Sequence, residues 1–227
     1  MQEGARVALV DRDADRLQAV ATRLGQLGGQ AIATATDVSQ EADVRRAVDA
    51  AVSAFGPLHG LVTSAGIFHP SDMQPLAEVA LETFQTTVAI NLTGTFLFAK
   101  YVVPHLVAAG GGSIVTIAST AGLRGHGFGA GYTASKGGVV ALTRLLAMQY
   151  GGHNVRANCI CPGATDTPMT GGVWGTEESR AQMRRAIPLG RVAHPAEVGN
   201  VACFLLSDDA WYVSGQILPV DGGATVK

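Results

Sequence analysis

Short unbroken apolar runs alternate along this chain with longer stretches whose apolar residues recur at helical spacing. Arg6 to Val10 predicts a strand ending at Asp11, and Asp13 to Leu27 a helix closed by Gly28-Gly29. Gln30 to Thr36 predicts a second strand, ending at Asp37. Ser39 is a candidate cap for a helix from Gln40 to Phe55. Gly60 to Thr63 reads as a strand followed by Ser64-Ala65-Gly66. A long helix, continuous or broken, is expected from about Leu81 to Ala109, then a strand over Ser113–Ala118. Tyr132–Tyr150, Glu177–Ala186 and Pro195–Leu206 read as helices, and Val155–Ile160 and Gln216–Val220 as strands.

This alternation, with strands apolar on both sides, predicts an α/β fold. The expected form is a single domain over residues 1–227, a doubly wound, Rossmann-like parallel sheet with helices on both faces. Ligands of such sheets bind at the carboxyl ends of the strands. Asp11, Asp37, Ser64, Ser119 and Pro162 each follow a predicted strand, so one edge gathers them.

Composition narrows the function. Hydrophobic residues make up 47% and charged residues 15%, with a net charge of -2. That balance gives no basic surface for nucleic acid and no polybasic membrane face. No apolar run is read as approaching the roughly 18 residues that span a bilayer, and no signal peptide is read at the N-terminus, so the expected setting is cytoplasmic. Cys159 and Cys161 share one face of a predicted strand and read as buried free thiols, with no metal site.

The strongest chemical signal is Tyr132 and Lys136, four apart on a predicted helix, with Ser119 thirteen residues before the tyrosine. Residues four apart share a helix face. An adjacent ammonium favours a phenolate and lowers a tyrosine pKa that otherwise lies near 10. A nearby serine hydroxyl can hydrogen-bond a substrate oxygen. The set describes a proton-transfer centre for alcohol/ketone chemistry.

Together with Asn91 in Asn91-Leu92-Thr93-Gly94, Pro162-Gly163 followed by Thr165 and Thr167, and Val220-Asp221-Gly222-Gly223, these residues resemble the short-chain dehydrogenase/reductase family over essentially the whole chain. The resemblance implies that Tyr132 is the general acid/base, that Lys136 lowers its pKa and binds the nicotinamide ribose, that Ser119 positions the reacting oxygen and that Asn91 supports a proton relay. It implies cofactor contacts from Asp11, Asp37, Val38, Ser64, Ala65, Gly66, Tyr132, Lys136, Pro162, Gly163, Thr165 and Thr167. Asp11 favours NAD(H), since its charge would repel the 2′-phosphate of NADP(H), although Arg12 follows it. Asp11 also reads as a helix N-cap, and Asp37 as a turn cap. His126, Phe128 and Trp174 are the candidate substrate residues, in loops over His69–Met73, Leu123–Gly129 and after Thr167.

The sequence departs from the family at its start. The strand and the Thr-Gly-x-x-x-Gly-x-Gly turn that open the family are not found, so strand edges are expected to be left unpaired or the sheet to close differently. Ser64 stands where the family has asparagine. The resemblance further implies a homotetramer or homodimer built on helices 81–109 and 132–150, with a second interface from Ser207–Lys227. The expected activity is NAD(H)-dependent interconversion of a secondary alcohol and a ketone. Reduction of a 3-oxoacyl thioester remains the alternative, as do a chain unable to bind cofactor and a non-enzymatic partner-binding subunit.

Overall fold

A computed structural model describes residues 4–125, 129–171 and 176–226. Its elements run β1 (Val7–Asp11), α1 (Ala14–Gln26), β2 (Ala31–Ala35), α2 (Glu41–Phe55), β3 (Gly60–Thr63), α3 (Leu81–Val88), α4 (Gly94–Ala108), β4 (Gly112–Ile117), α5 (Ala130–Tyr150), β5 (Val155–Pro162), α6 (Pro168–Gly171), α7 (Glu177–Ala186), α8 (Pro195–Leu206) and β6 (Ile217–Val220). All ladders are parallel. Successive residues of β4 point to opposite faces, and each face has its own cover. Ile114 packs with Val44, Leu97, Leu106 and Leu146 of α2, α4 and α5. Val115 packs with Ile160 and with Leu205 of α8.

The expected Rossmann-like parallel architecture with helices on both faces is found, its strands divided between two sheets, β1-β2 and β3-β4-β5-β6. Among the described residues no ladder joins β1 to β3. Of the two outcomes anticipated for the sheet, unpaired edges are the one found. A cavity of about 590 Å³ lies where the sheet is interrupted.

Several local expectations are corrected. Ser39 does not cap α2; Gln40 holds that position without a side-chain cap bond, and the Ser39 hydroxyl donates to Asp37 Oδ1 at 2.7 Å. Asp11 is not the N-cap of α1 either. Asp13 is, accepting from the Arg16 backbone N–H at 3.0 Å. The break allowed for in the long helix is found, as a π-helical turn over Ala89–Thr93. Leu81–Ala108 spans 28 residues and is long and apolar enough to cross a membrane, contrary to the sequence reading. Half of its most apolar window is buried inside the protein, as in a core helix. Gly110 and Gly111 turn the chain from α4 into β4. Gly111 has φ +141°, and a Cβ there would fall 2.6 Å from the Asn154 backbone oxygen.

Candidate active site

The carboxyl end of β4 and the first turns of α5 bring the chemical residues together. Burial anchors α5 against β5, and two consequences follow for its polar face. Lys136 is only 5% exposed, and its Nζ donates to the Ile117 carbonyl at 2.9 Å. The Tyr132 ring lies beside it, with Nζ 5.7 Å from the ring centroid. Phe68 meets that ring edge-on, with centroids 5.2 Å apart. The approach of β4's following turn depends on Gly122, where a Cβ would stand 2.6 Å from the Lys136 carbonyl carbon.

Electrostatics at the pair differ from the sequence expectation. Burial pushes the Tyr132 hydroxyl above its ordinary value, and a hydrogen bond with Ser119 works against that rise. The expected lowering by Lys136 is not what this structure gives. The ammonium is committed to the Ile117 carbonyl and is itself pushed down to about 8 by burial. Cys159 and Cys161 support its charge. As expected, these two thiols are buried and free and share a face, with Sγ atoms 3.8 Å apart. Their mutual hydrogen bond holds Cys159 down, to about 7, and Cys161 up.

Asn91 is fully buried in the π-helical turn. Its Oδ1 accepts from the Ile67 N–H at 2.8 Å, and its Nδ2 donates to the Ile67 carbonyl at 2.9 Å and to Ser135 Oγ at 3.2 Å. It therefore ties the segment after β3 to α5. A Cβ on Gly66 would lie 3.3 Å from Asn91 Oδ1 and 3.5 Å from Lys136 Nζ. Gly66 thus passes close to the ammonium and to the Asn91 side chain.

Other predicted cofactor residues line the same edge less tightly. Asp11 is exposed at the tip of β1. Asp37 is exposed, caps its own turn through Ser39, and is held below the usual carboxylate range by those bonds. Val38 is buried against the face of α4 where Gly94 leaves room; a Cβ on Gly94 would fall 2.8 Å from Val38 Cγ2. Pro162 ends β5, and Gly163 follows it against Asp221. Thr165 is buried, and the backbone N–H of Thr167 donates to Thr170 Oγ1 at 3.1 Å. His126, Phe128 and Trp174 lie outside the described residues.

Sequence reasoning missed one residue. Asp72, fully buried, accepts from the backbone N–H groups of Gly131 at 3.0 Å and Tyr132 at 2.8 Å. Its own carbonyl accepts from Gly129 at 2.8 Å. A carboxylate at a helix N-terminus satisfies orphan donors and favours the positive end of the helix dipole. Asp72 therefore fixes the turn that carries Tyr132. Gly129, just before that turn, has φ +80°, a left-handed conformation glycine adopts at no cost. An acidic residue near a helix start was the available signal, but the partner helix begins almost sixty residues later.

The chain is similar to known proteins over nearly its whole length. A family model described as enoyl-(acyl carrier protein) reductase matches residues 1–225. The chain is 39% identical over 225 residues to D-threitol dehydrogenase of Mycolicibacterium smegmatis, covering 99% of this chain and 85% of that protein. It is 38% identical to cyclohexanol dehydrogenase of an Acinetobacter species, covering 100% of this chain and 87% of that one. The solved structure of levodione reductase superposes with a TM-score of 0.94 at 36% identity, over 99% of this chain and 89% of the other. A gluconate 5-dehydrogenase from Burkholderia cenocepacia, in complex with NADP and tartrate, superposes at 0.93 with 29% identity, over 100% and 88%.

Proposed function

Given that the chain belongs to the short-chain dehydrogenase/reductase family, an oxidoreductase family whose similar members are alcohol dehydrogenases, we propose that it interconverts a secondary alcohol and a ketone with NAD(H). The observation that carries the reading is the convergence of Ser119, Tyr132, Lys136 and Asn91 at one strand end. When bound, a nicotinamide cofactor supplies hydride exchange at the carbinol carbon. The protein supplies the rest. Ser119 donates to the reacting oxygen. Tyr132 takes the hydroxyl proton in oxidation and returns it in reduction. Its raised pKa favours the protonated form, suited to donating toward a ketone. Lys136 and Gly66 offer a seat for the nicotinamide ribose, and Asp11 a carboxylate for the adenosine ribose. NAD(H) rests on Asp11; the NADP bound by the gluconate dehydrogenase weighs the other way.

Cyclic and polyol secondary alcohols are the substrate class favoured by similarity to the threitol and cyclohexanol dehydrogenases. The acyl-carrier description of the family model supports a second reading, reduction of a 3-oxoacyl thioester. Exposed Phe96, Leu145 and Met148 on α4 and α5, and Phe204, Trp211 and Tyr212 near the C-terminus, support the two interfaces of a homotetramer. The buried free thiols suit a reducing, cytoplasmic setting.

The test pairs calorimetric titration of NADH and NADPH with turnover of cyclohexanol and threitol. Preferential NADH binding and a loss of about 10²–10⁴-fold in kcat/KM on Tyr132→Phe are expected. Full turnover by Tyr132→Phe would overturn the chemistry. Preference for NADPH would overturn the cofactor assignment alone.

A further inference from the structure

The Lys136 ammonium is buried, and an ammonium taken out of water needs a compensating charge. None of the ion pairs among the described residues includes it. Its hydrogen-bond acceptor, the Ile117 carbonyl, is a dipole and supplies no net charge. The titratable groups that face it are few. On α5 itself there is Tyr132, which burial holds protonated at neutral pH. The turn over Pro70–Met73 brings Asp72, whose two carboxylate oxygens are taken by the backbone N–H groups of Gly131 and Tyr132. β4, the π-helical turn and the turn after Ser119 carry no titratable side chain. Glu82 of α3 and Lys100 of α4 are exposed, and Arg156 of β5 is spent on the carbonyls of Leu205, Ser207 and Val213. What remains is Cys159 and Cys161 of β5, both fully buried.

The two thiols are arranged to hold a charge. Two apart on a strand, they share the face that α5 covers. Their Sγ atoms are 3.8 Å apart, so the S–H of one can donate to the sulfur of the other. The Ser119 backbone N–H gives Cys161 a further donor. Both sulfurs pack in one cluster with Val139 and Val140, the next turn of α5 after Lys136. Opposite charges attract strongly in such low-dielectric surroundings. We propose that Cys159 and Cys161 are positioning residues of the reaction: the pair keeps one proton between its two sulfurs, releases the other to solvent, and so sets a negative charge opposite the Lys136 ammonium. Neither cysteine touches substrate; both act through Lys136. Burial drives the lysine toward its neutral amine, and the pair drives it back. The two sulfurs work as one group, because a lone thiolate there would lack the S–H that stabilises it. The consequence for turnover rests on the oxidoreductase reading, in which Tyr132 and the nicotinamide ribose need a charged Lys136 beside them. The charge pair itself does not.

The test begins with Cys203→Ser, which removes the exposed third cysteine and leaves the pair as the chain's only thiols. Thiolate ultraviolet absorbance is titrated against pH, with no nucleotide or substrate present. One thiol per chain should ionise well below the ordinary value of about 8.5. Adding Lys136→Met should raise that midpoint by about one pH unit or more, because each charge stabilises the other reciprocally. Lys136→Arg keeps a cation and should leave the midpoint near the parent's. The second arm reads kcat/KM for cyclohexanone reduction against pH in Cys159→Ser, a change of similar size that removes the ionising group. The alkaline limb set by Lys136 should move down by about one pH unit, costing about tenfold in rate above it and little in acid. Absence of any thiolate below about pH 8.5 overturns the proposal. So does a midpoint that Lys136→Met leaves in place. A loss in Cys159→Ser that is equal at every pH also overturns it, in favour of simple packing. A folded chain that turns over no substrate with either nicotinamide cofactor removes the positioning role together with the oxidoreductase reading, and the absorbance titration then decides the charge pair by itself.

Discussion

β4 and β5 are built from the same kinds of residues as β1 and β3, yet their surroundings differ. Ile114, Val115, Ala157 and Ile160 are fully buried, while Val7 to Val10 are only half-buried and Val62 is exposed. Both pairs of strands present apolar side chains to two faces. What separates them is lateral: among the described residues β4 and β5 have a strand on each side, and β1 and β3 on one side. A strand's apolar run states the environment it suits. Its neighbours decide whether it gets one. The chemistry follows this division, since Ser119, Tyr132 and Lys136 are all held by the continuous half, whereas Asp11 and Asp37 stand on the interrupted flank.

The comparison breaks most readily at its centre. Ile160→Ala should cost about 2–5 kcal/mol in denaturant unfolding, and Leu9→Ala about 1 kcal/mol or less, because only the first leaves a cavity in close-packed surroundings. Equal losses would mean that the two halves are equally well packed. Asp72→Asn tests how the continuous half holds Tyr132. The amide leaves one backbone N–H of the first turn of α5 without its acceptor, at a cost of about 1–3 kcal/mol. Faster amide exchange at Gly131 and Tyr132, with a shifted pH–rate profile, is the signature expected. Lys136→Met makes the smallest change and runs the other way. The ammonium's pKa falls from 10.5 unfolded to about 8 folded, so below pH 8 the folded state carries a charge it disfavours. The folded state binds fewer protons between those values, and stability from this group rises with pH across that window. At pH 7 the methionine variant should therefore gain about 1–2 kcal/mol, allowing for the lost bond to Ile117. The gain should vanish near pH 10.5 and be accompanied by loss of turnover.

Much of this was legible from periodicity and punctuation. Apolar runs ending at Asp11, Thr63 and Ala118 marked real strands, the last closing one residue earlier at Ile117, and the spacing of Tyr132 and Lys136 put both on one face. Residues joined across long stretches of chain were harder to read. Asp72 reaches α5 through contacts that no local pattern encodes. The direction of the Tyr132 shift depends on burial and on where Lys136 spends its proton, neither of which spacing reveals. The division of the sheet was foreseen as one of two outcomes, but the shape of the space between the halves required coordinates.

The π-helical turn at Asn91 carries a consequence for how this long helix can vary. A widened turn accommodates one more residue than a regular one, and so resets the angular phase of everything beyond it. α3, before the turn, is indexed to α5; α4, after it, is indexed to α2 and the sheet. The two segments behave as gears cut to different wheels on a single shaft, with Asn91 as the key between them. Length changes on either side cannot be absorbed by sliding, because each would put one wheel out of mesh while the other stayed engaged.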